Sequence, residues 1–201
     1  MNYKAPIRDI QFVMNEVLDF PSHYQAIPQG KNASPEMVSA IIQEAVKFAE
    51  NVLSPLNKVG DEQGCKLVDG QVITPDGFKD AYFQYVDNGW IGLPMAESIG
   101  GQGLPISLGR ITFETQVTAN HAWTMYPDLA SGAIKTIQAH GDESLQSYLP
   151  NMVTGKWSGT MCLTEPVCGT DLGLLKTKAI EQSDGTYKLT GQKIFITSGD
   201  H

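Results

Sequence analysis

The feature that most constrains this chain is a change of hydrophobic period near Lys156. Before it, apolar residues return every three or four positions, the spacing of a helix with one buried face. After it, they crowd into short runs rich in β-branched and aromatic residues. The pattern predicts an all-α N-terminal domain over residues 1–156, then the start of a β-domain over residues 157–201, an α+β fold class.

The helical part has legible punctuation. Ile10, Val13, Met14, Val17 and Leu18 form one apolar stripe, with Asp9 as its expected cap. Ser34 is placed to cap a second helix, Pro35 to open it and Glu36 to suit its positive end; Ser54-Pro55 is expected to stop it. Thr74 and Pro75 repeat the device ahead of Phe78, Tyr82, Phe83 and Val86, expected to face inward, and Asn88-Gly89 closes that helix. A glycine-rich loop, NGWIGLPMAESIGGQGLP, follows. PISLGRITFETQVTANHAWTM and LASGAIKTIQAHG then read as two longer helices, and DESLQSYLPNMVTG as a short last one carrying Leu145, Tyr148 and Leu149.

Four strands are expected beyond Lys156: SGTMCLT, LKTKAIEQ, TYKLTG and QKIFITS. Asp184-Gly185 is a strong hairpin signal and Thr190-Gly191 a weaker one. Because the last strand ends beside His201 with its sheet unfinished, the chain reads as a truncation.

Composition excludes several classes. A net charge of -8 without any run of Lys or Arg argues against a nucleic-acid surface. No apolar stretch reaches the roughly 20 residues a membrane span needs, and the N-terminus lacks the apolar core of a secretory signal. The three cysteines, Cys65, Cys162 and Cys168, show no metal spacing and read as reduced thiols of a cytoplasmic protein. No metal site is expected.

One stretch, MCLTEPVCGTDLG, asks for a chemical reason. A strand ending in Thr164 offers a hydroxyl and free backbone N–H groups at its tip, and Pro166 turns the chain. Gly169 lets a ligand approach the backbone, and Thr170 adds a donor. About thirty residues on, KIFITSG places Phe195 before Ile196 and Thr197. Two such tips can flank one planar ligand, one supplying hydrogen bonds and the other a ring. From spacing alone they also read as ordinary strand ends with turn residues.

CLTEPVCGTDLGLLKTKA followed by LTGQKIFITSG resembles the paired flavin-binding signatures of the acyl-CoA dehydrogenases, in order, gap and intervening hairpin. GLPMAESIGGQGLP and the approach HGDESLQSYLPNMVTGKWSGTMCLTEP are similar to that family too. YKAPIRDIQFVMNEVL resembles its subgroup of large members, which includes methylmercaptopropionyl-CoA dehydrogenases. The resemblance implies an antiparallel, barrel-like middle domain, FAD as cofactor, an acyl-CoA substrate and α,β-dehydrogenation. It also implies an electron-transferring flavoprotein as partner and a homo-oligomer. The catalytic carboxylate would lie on a C-terminal helical domain outside this chain, so no catalytic residue is assigned. Met161, Leu163 and Thr164 would line the flavin, with Thr164 bonding its pyrimidine edge. Gly169 and Thr170 would approach the cofactor's phosphates, Thr170 the acyl-CoA as well. Phe195 and Ile196 would pack on the ring, and Thr197 would bond near N5. The chain departs from the family where Met161 replaces an aromatic, Phe195 a tryptophan, and Val167-Cys168 a smaller pair.

Other residues take plainer readings. Glu165 reads as a turn carboxylate, not a base, and Cys168 as a small residue in a tight loop. Trp90 and Trp123 read as core and Trp157 as strand packing; His121 reads as structural. The rival readings are a flavin oxidase or non-catalytic relative on the same fold, and a short helical binding module.

Overall fold

A computed structural model describes residues 3–201. Helix α1 spans Ile7–Phe12 and runs into a π turn, Val13–Val17. Asp9 lies inside α1, not at its cap, which is Pro6; of the expected stripe only Met14 is fully buried, while Val13, Val17 and Leu18 face outward. The wider π turn rotates the stripe out of α register, so one apolar face cannot be kept. Helix α2 covers Phe20–Ala26, capped by Asp19, whose side chain accepts the Ser22 N–H.

Helix α3, Pro35–Phe48, forms as its ends prescribe: Ser34 accepts the Met37 N–H at 3.3 Å and Pro35 occupies the first turn. Its buried face is Val38, Ile42, Ala45 and Phe48. Ser54-Pro55 does not stop the chain here. A π turn, Ala49–Leu53, leads directly into α4, Ser54–Gln63. The turn absorbs the proline: the Ser54 N–H reaches back to Ala49 O, and Pro55 falls in the first turn of α4, where its missing N–H is tolerated.

An antiparallel hairpin that the period reading passes over follows, β1 (Lys66–Val68) with β2 (Gln71–Ile73), turning at Asp69-Gly70. Helix α5 spans Phe78–Asp87. Thr74 and Pro75 do not begin it, because Gly77, at φ 80°, is its N-cap and Asp76 is drawn to Gln63 by two hydrogen bonds. Its buried residues are Ala81 and Tyr85; Phe83 faces outward. The glycine-rich loop is a packed plug: Leu93, Met95 and Leu104 are buried, and Gln102, Gly103 and Leu104 donate their N–H groups to Gly92, Met95 and Leu93. Gly101 is required by close approach, since a Cβ there would stand 2.2 Å from Met95 O.

Helices α6 (Ile106–Ala119) and α7 (His121–His140) divide at Asn120, earlier than the sequence pattern suggests. Asn120 caps α7 by accepting the Trp123 N–H at 3.0 Å. Pro127 sits inside α7, and the burial of Trp123, Ala130 and Ile134 around it holds the helix through the proline. Gly141 ends α7 as expected. The last helical stretch forms two short pieces, α8 (Glu143–Gln146) and α9 (Leu149–Val153); Leu149 is buried, whereas Leu145 and Tyr148 are exposed.

Helix α3 packs on α6, α6 on α7, and α7 on α4 and α9. Ile42, Leu53, Leu108, Ile134 and Leu149 fill the centre. Phe48, Tyr85 and Trp123 meet there, the Tyr85 and Trp123 rings edge-on at 5.4 Å. Trp90 is buried too.

Beyond α9, two of the four expected strands form. Strand β3, Lys178–Glu181, pairs antiparallel with β4, Tyr187–Thr190, in the register Lys178↔Thr190 to Glu181↔Tyr187. The turn between them uses Asp184, which accepts the Thr186 N–H, and Gly185 at φ 81°. SGTMCLT and QKIFITS lie side by side without a ladder, and Thr190-Gly191 makes no hairpin. Their one backbone bond is Ile194 N–H to Thr164 O at 2.9 Å; Phe195, at φ 54°, turns out of the extended region and ends the pairing. Trp157 packs on Tyr148 at 5.7 Å rather than in a strand.

Candidate functional site

The two motif stretches converge. Ile194 donates its N–H to Thr164 O, the Lys193 ammonium donates to Leu163 O at 2.9 Å, and the Thr160 hydroxyl donates to Thr197 O. Residues 160–165 are thereby fastened along 193–197.

Several apolar side chains of these stretches are exposed. Met161 is 58% exposed and Phe195 84%, with Leu163 also open; Ile196 is half-buried. Thr164 and Thr197 are half-buried, and among the described residues neither hydroxyl takes part in a side-chain hydrogen bond. Thr170 and Gly169 are exposed on the loop after the turn. A Cβ at Gly169 would meet only Thr164 Cγ2, at 3.8 Å, so the chain's own packing does not demand glycine there. Cys168 is buried and pairs its backbone with Glu165, closing the turn. All three cysteines are free.

Glu165 is the unexpected member. It is 4% exposed and accepts from the Lys193 ammonium at 2.8 Å, the Lys176 N–H at 2.8 Å and the Thr177 N–H at 3.0 Å. Lys193 above all, then Thr177 and the Lys176 N–H, hold its carboxyl down at about 2. Such an acid cannot serve as a base near neutral pH; it is a fastening.

A cleft of about 860 Å³ opens beside this region. Its lining includes the aromatic Phe78, Tyr82, Phe83, Trp123 and Tyr126 together with Ser158 and Ser198. The Tyr82 hydroxyl donates to Gly155 O at 2.9 Å, and burial pushes its phenol up to about 12. Ser198 adjoins Thr197, so the cleft meets the motif stretches at that end. The sequence does signal this lining: α5 carries more aromatic positions than one narrow buried stripe can hold.

Among the described residues no cluster of His, Cys, Asp or Glu can hold a metal ion, and no helix is long and apolar enough to cross a membrane.

A helical core, a plugged glycine-rich loop and two paired motif stretches define the architecture, and comparison with known proteins gives it a family. The description "Acyl-CoA dehydrogenase, N-terminal domain" matches residues 35–156, and the chain belongs to the acyl-CoA dehydrogenase family. It is 38% identical to 3-methylmercaptopropionyl-CoA dehydrogenase of Ruegeria pomeroyi over 202 residues, covering 100% of this chain and 34% of that protein. It is 36% identical to a butyryl-CoA dehydrogenase of Syntrophomonas wolfei, covering 100% of this chain and 33% of the relative. Among solved structures, butyryl-CoA dehydrogenase from Megasphaera elsdenii superposes with a TM-score of 0.67 at 26% identity, covering 81% of this chain and 41% of that one. The chain thus spans about a third of the length of these curated relatives.

Proposed function

We propose that this chain is the N-terminal portion of an FAD-dependent acyl-CoA dehydrogenase that removes hydrogens from the α and β carbons of an acyl-CoA thioester. The observation that carries the reading is the pair of fastened stretches, with apolar Met161, Leu163 and Phe195 exposed beside the unengaged hydroxyls of Thr164 and Thr197. That donor set fits a flat ring with a polar edge. The family match ends at residue 156, which supports a domain boundary near Lys156.

When bound, FAD supplies the acceptor for the hydride that leaves the β carbon. The residues of this chain supply the setting. Met161, Leu163, Phe195 and Ile196 would exclude water from the ring, and Thr164 and Thr197 would donate to its polar edge. Gly169 and Thr170 leave room for the phosphates, and Thr170 also meets the acyl-CoA. The aromatic cleft, which meets the motif stretches at Ser198, would take the acyl part. The carboxylate that takes the α proton belongs to the two thirds of the family's length that this chain does not span. The enzyme passes its electrons to an electron-transferring flavoprotein and works as a homo-oligomer in the cytoplasm, where the three free thiols stay reduced.

The full-length protein, purified and supplied with FAD, is expected to turn yellow and to bleach on addition of butyryl-CoA or 3-methylmercaptopropionyl-CoA. A folded full-length protein that stays colourless with excess FAD overturns the reading.

A further inference from the structure

Resting on the flavin reading, we infer that Glu165 and Lys193 are a positioning pair that sets the spacing of the two stretches on which Thr164 and Thr197 stand. Two separated pieces of chain hang from one buried carboxylate. The Lys176 and Thr177 N–H groups and the Lys193 ammonium all donate to Glu165, from 11, 12 and 28 residues away. Lys193 also holds Leu163 O, and the next residue, Ile194, holds Thr164 O. No ladder exists here to do this by itself; a single backbone bond joins the stretches. The pair therefore does what a run of sheet hydrogen bonds does elsewhere.

The pair's polar atoms are engaged within the chain: Glu165 directly follows Thr164 and is buried, whereas Met161 is exposed. Lys193 is four residues before Thr197. Loss of the tie lets the two hydroxyls drift relative to each other. A displacement of the order of 1 Å costs up to about a hundredfold in a reaction that depends on alignment. Burial also makes the pair asymmetric: removing Lys193 leaves a carboxylate in a dry place, whereas removing both charges leaves no orphan ion.

The test uses the full-length protein and the variants Lys193→Met, Lys193→Arg, Glu165→Gln and Glu165→Gln with Lys193→Met, with Lys178→Met, an exposed lysine of β3, as control. The first measurement needs no cofactor. In the FAD-free protein, hydrogen exchange at the Lys176, Thr177 and Ile194 amides is expected to speed up in Lys193→Met and in the double variant, and to stay as in the wild type in Lys178→Met. Unchanged exchange in Lys193→Met refutes the tie whatever the protein binds. The second measurement is made on the FAD-saturated, fully folded fraction. Flavin bleaching by acyl-CoA is expected to slow by roughly ten- to a hundredfold in Lys193→Met, with a shifted flavin band, and Lys193→Arg is expected to recover most of the rate. Faster amide exchange with bleaching and spectrum as in the wild type reduces the pair to a stability device and overturns the positioning role. A wild type that takes up no FAD overturns the flavin reading and the positioning role together, while the exchange result alone still decides whether the tie exists.

Discussion

Asn120 offers the sharpest test of how the helical domain is held. It is 1% exposed and stands where α6 ends and α7 begins. Its Oδ1 accepts the Trp123 N–H at 3.0 Å, and its Nδ2 donates to Leu53 O at 3.2 Å, 67 residues away. One side chain thus caps α7 and fastens it to the end of the π turn that leads into α4. Asn120→Leu keeps the branching and heavy-atom count of the side chain, with bulkier methyl groups in place of the amide, and removes both bonds. The Trp123 N–H is left buried without a partner, at about 1–3 kcal/mol, and the bond to Leu53 contributes about 1 kcal/mol more. The total, roughly 2–4 kcal/mol, corresponds to about a thirty- to several-hundredfold rise in the local opening constant at 1.4 kcal/mol per decade. Asn120→Ser keeps an acceptor for the cap and loses only the bridge, so it should recover more than half of that. Denaturant titration and exchange at the Trp123 amide measure both effects. If Asn120→Leu lies within 0.5 kcal/mol of the wild type, on the order of an ordinary surface substitution, the reasoning that these two bonds hold the junction is wrong.

Three further outcomes are expected. Gly101→Ala should destabilise by roughly 1–3 kcal/mol because the new methyl meets Met95 O, while Gly132→Ala, in α7 with nothing within 4 Å of the added Cβ, should stabilise by about 0.5–1 kcal/mol; denaturation midpoints moving in the same direction would contradict this. Glu165, held at about 2 against an ordinary 4.5, contributes stability that is fully present above about 4.5 and is lost as the pH falls toward 2; Glu165→Gln should flatten that part of the acid-unfolding curve, and an unchanged slope would show that the carboxyl titrates normally. Thr197→Val in the full-length enzyme should slow flavin bleaching by roughly ten- to a hundredfold, for a charge-assisted bond of about 1.5–3 kcal/mol, with little loss of FAD; stopped-flow rates equal to those of Thr190→Val, at the end of β4, would remove Thr197 from the site.

What the sequence made legible was whatever neighbours decide. Ser34-Pro35-Glu36 starts α3 because a cap, a proline and an acid act within one turn, and Asp184-Gly185 turns β3 into β4 for the same kind of reason. The same local rules misplaced Pro55 and Thr74-Pro75: the π turn just ahead of Pro55 carries the helix through it, and Gln63 holds Asp76 from 13 residues away. The candidate site divides along this line. Its two motif stretches could be read because each carries its own pattern of small, hydroxyl and aromatic residues. Glu165 looked like a turn acid because nothing within ten residues of it is its partner; the ammonium it needs is 28 residues on, past the whole β3–β4 hairpin. Ile194 N–H and Thr164 O likewise meet because that hairpin reverses the chain between them, bringing 193 back beside 163. A motif can therefore mark two stretches that meet while leaving out the pair that ties them, since the tie is a property of the closed hairpin and not of either stretch.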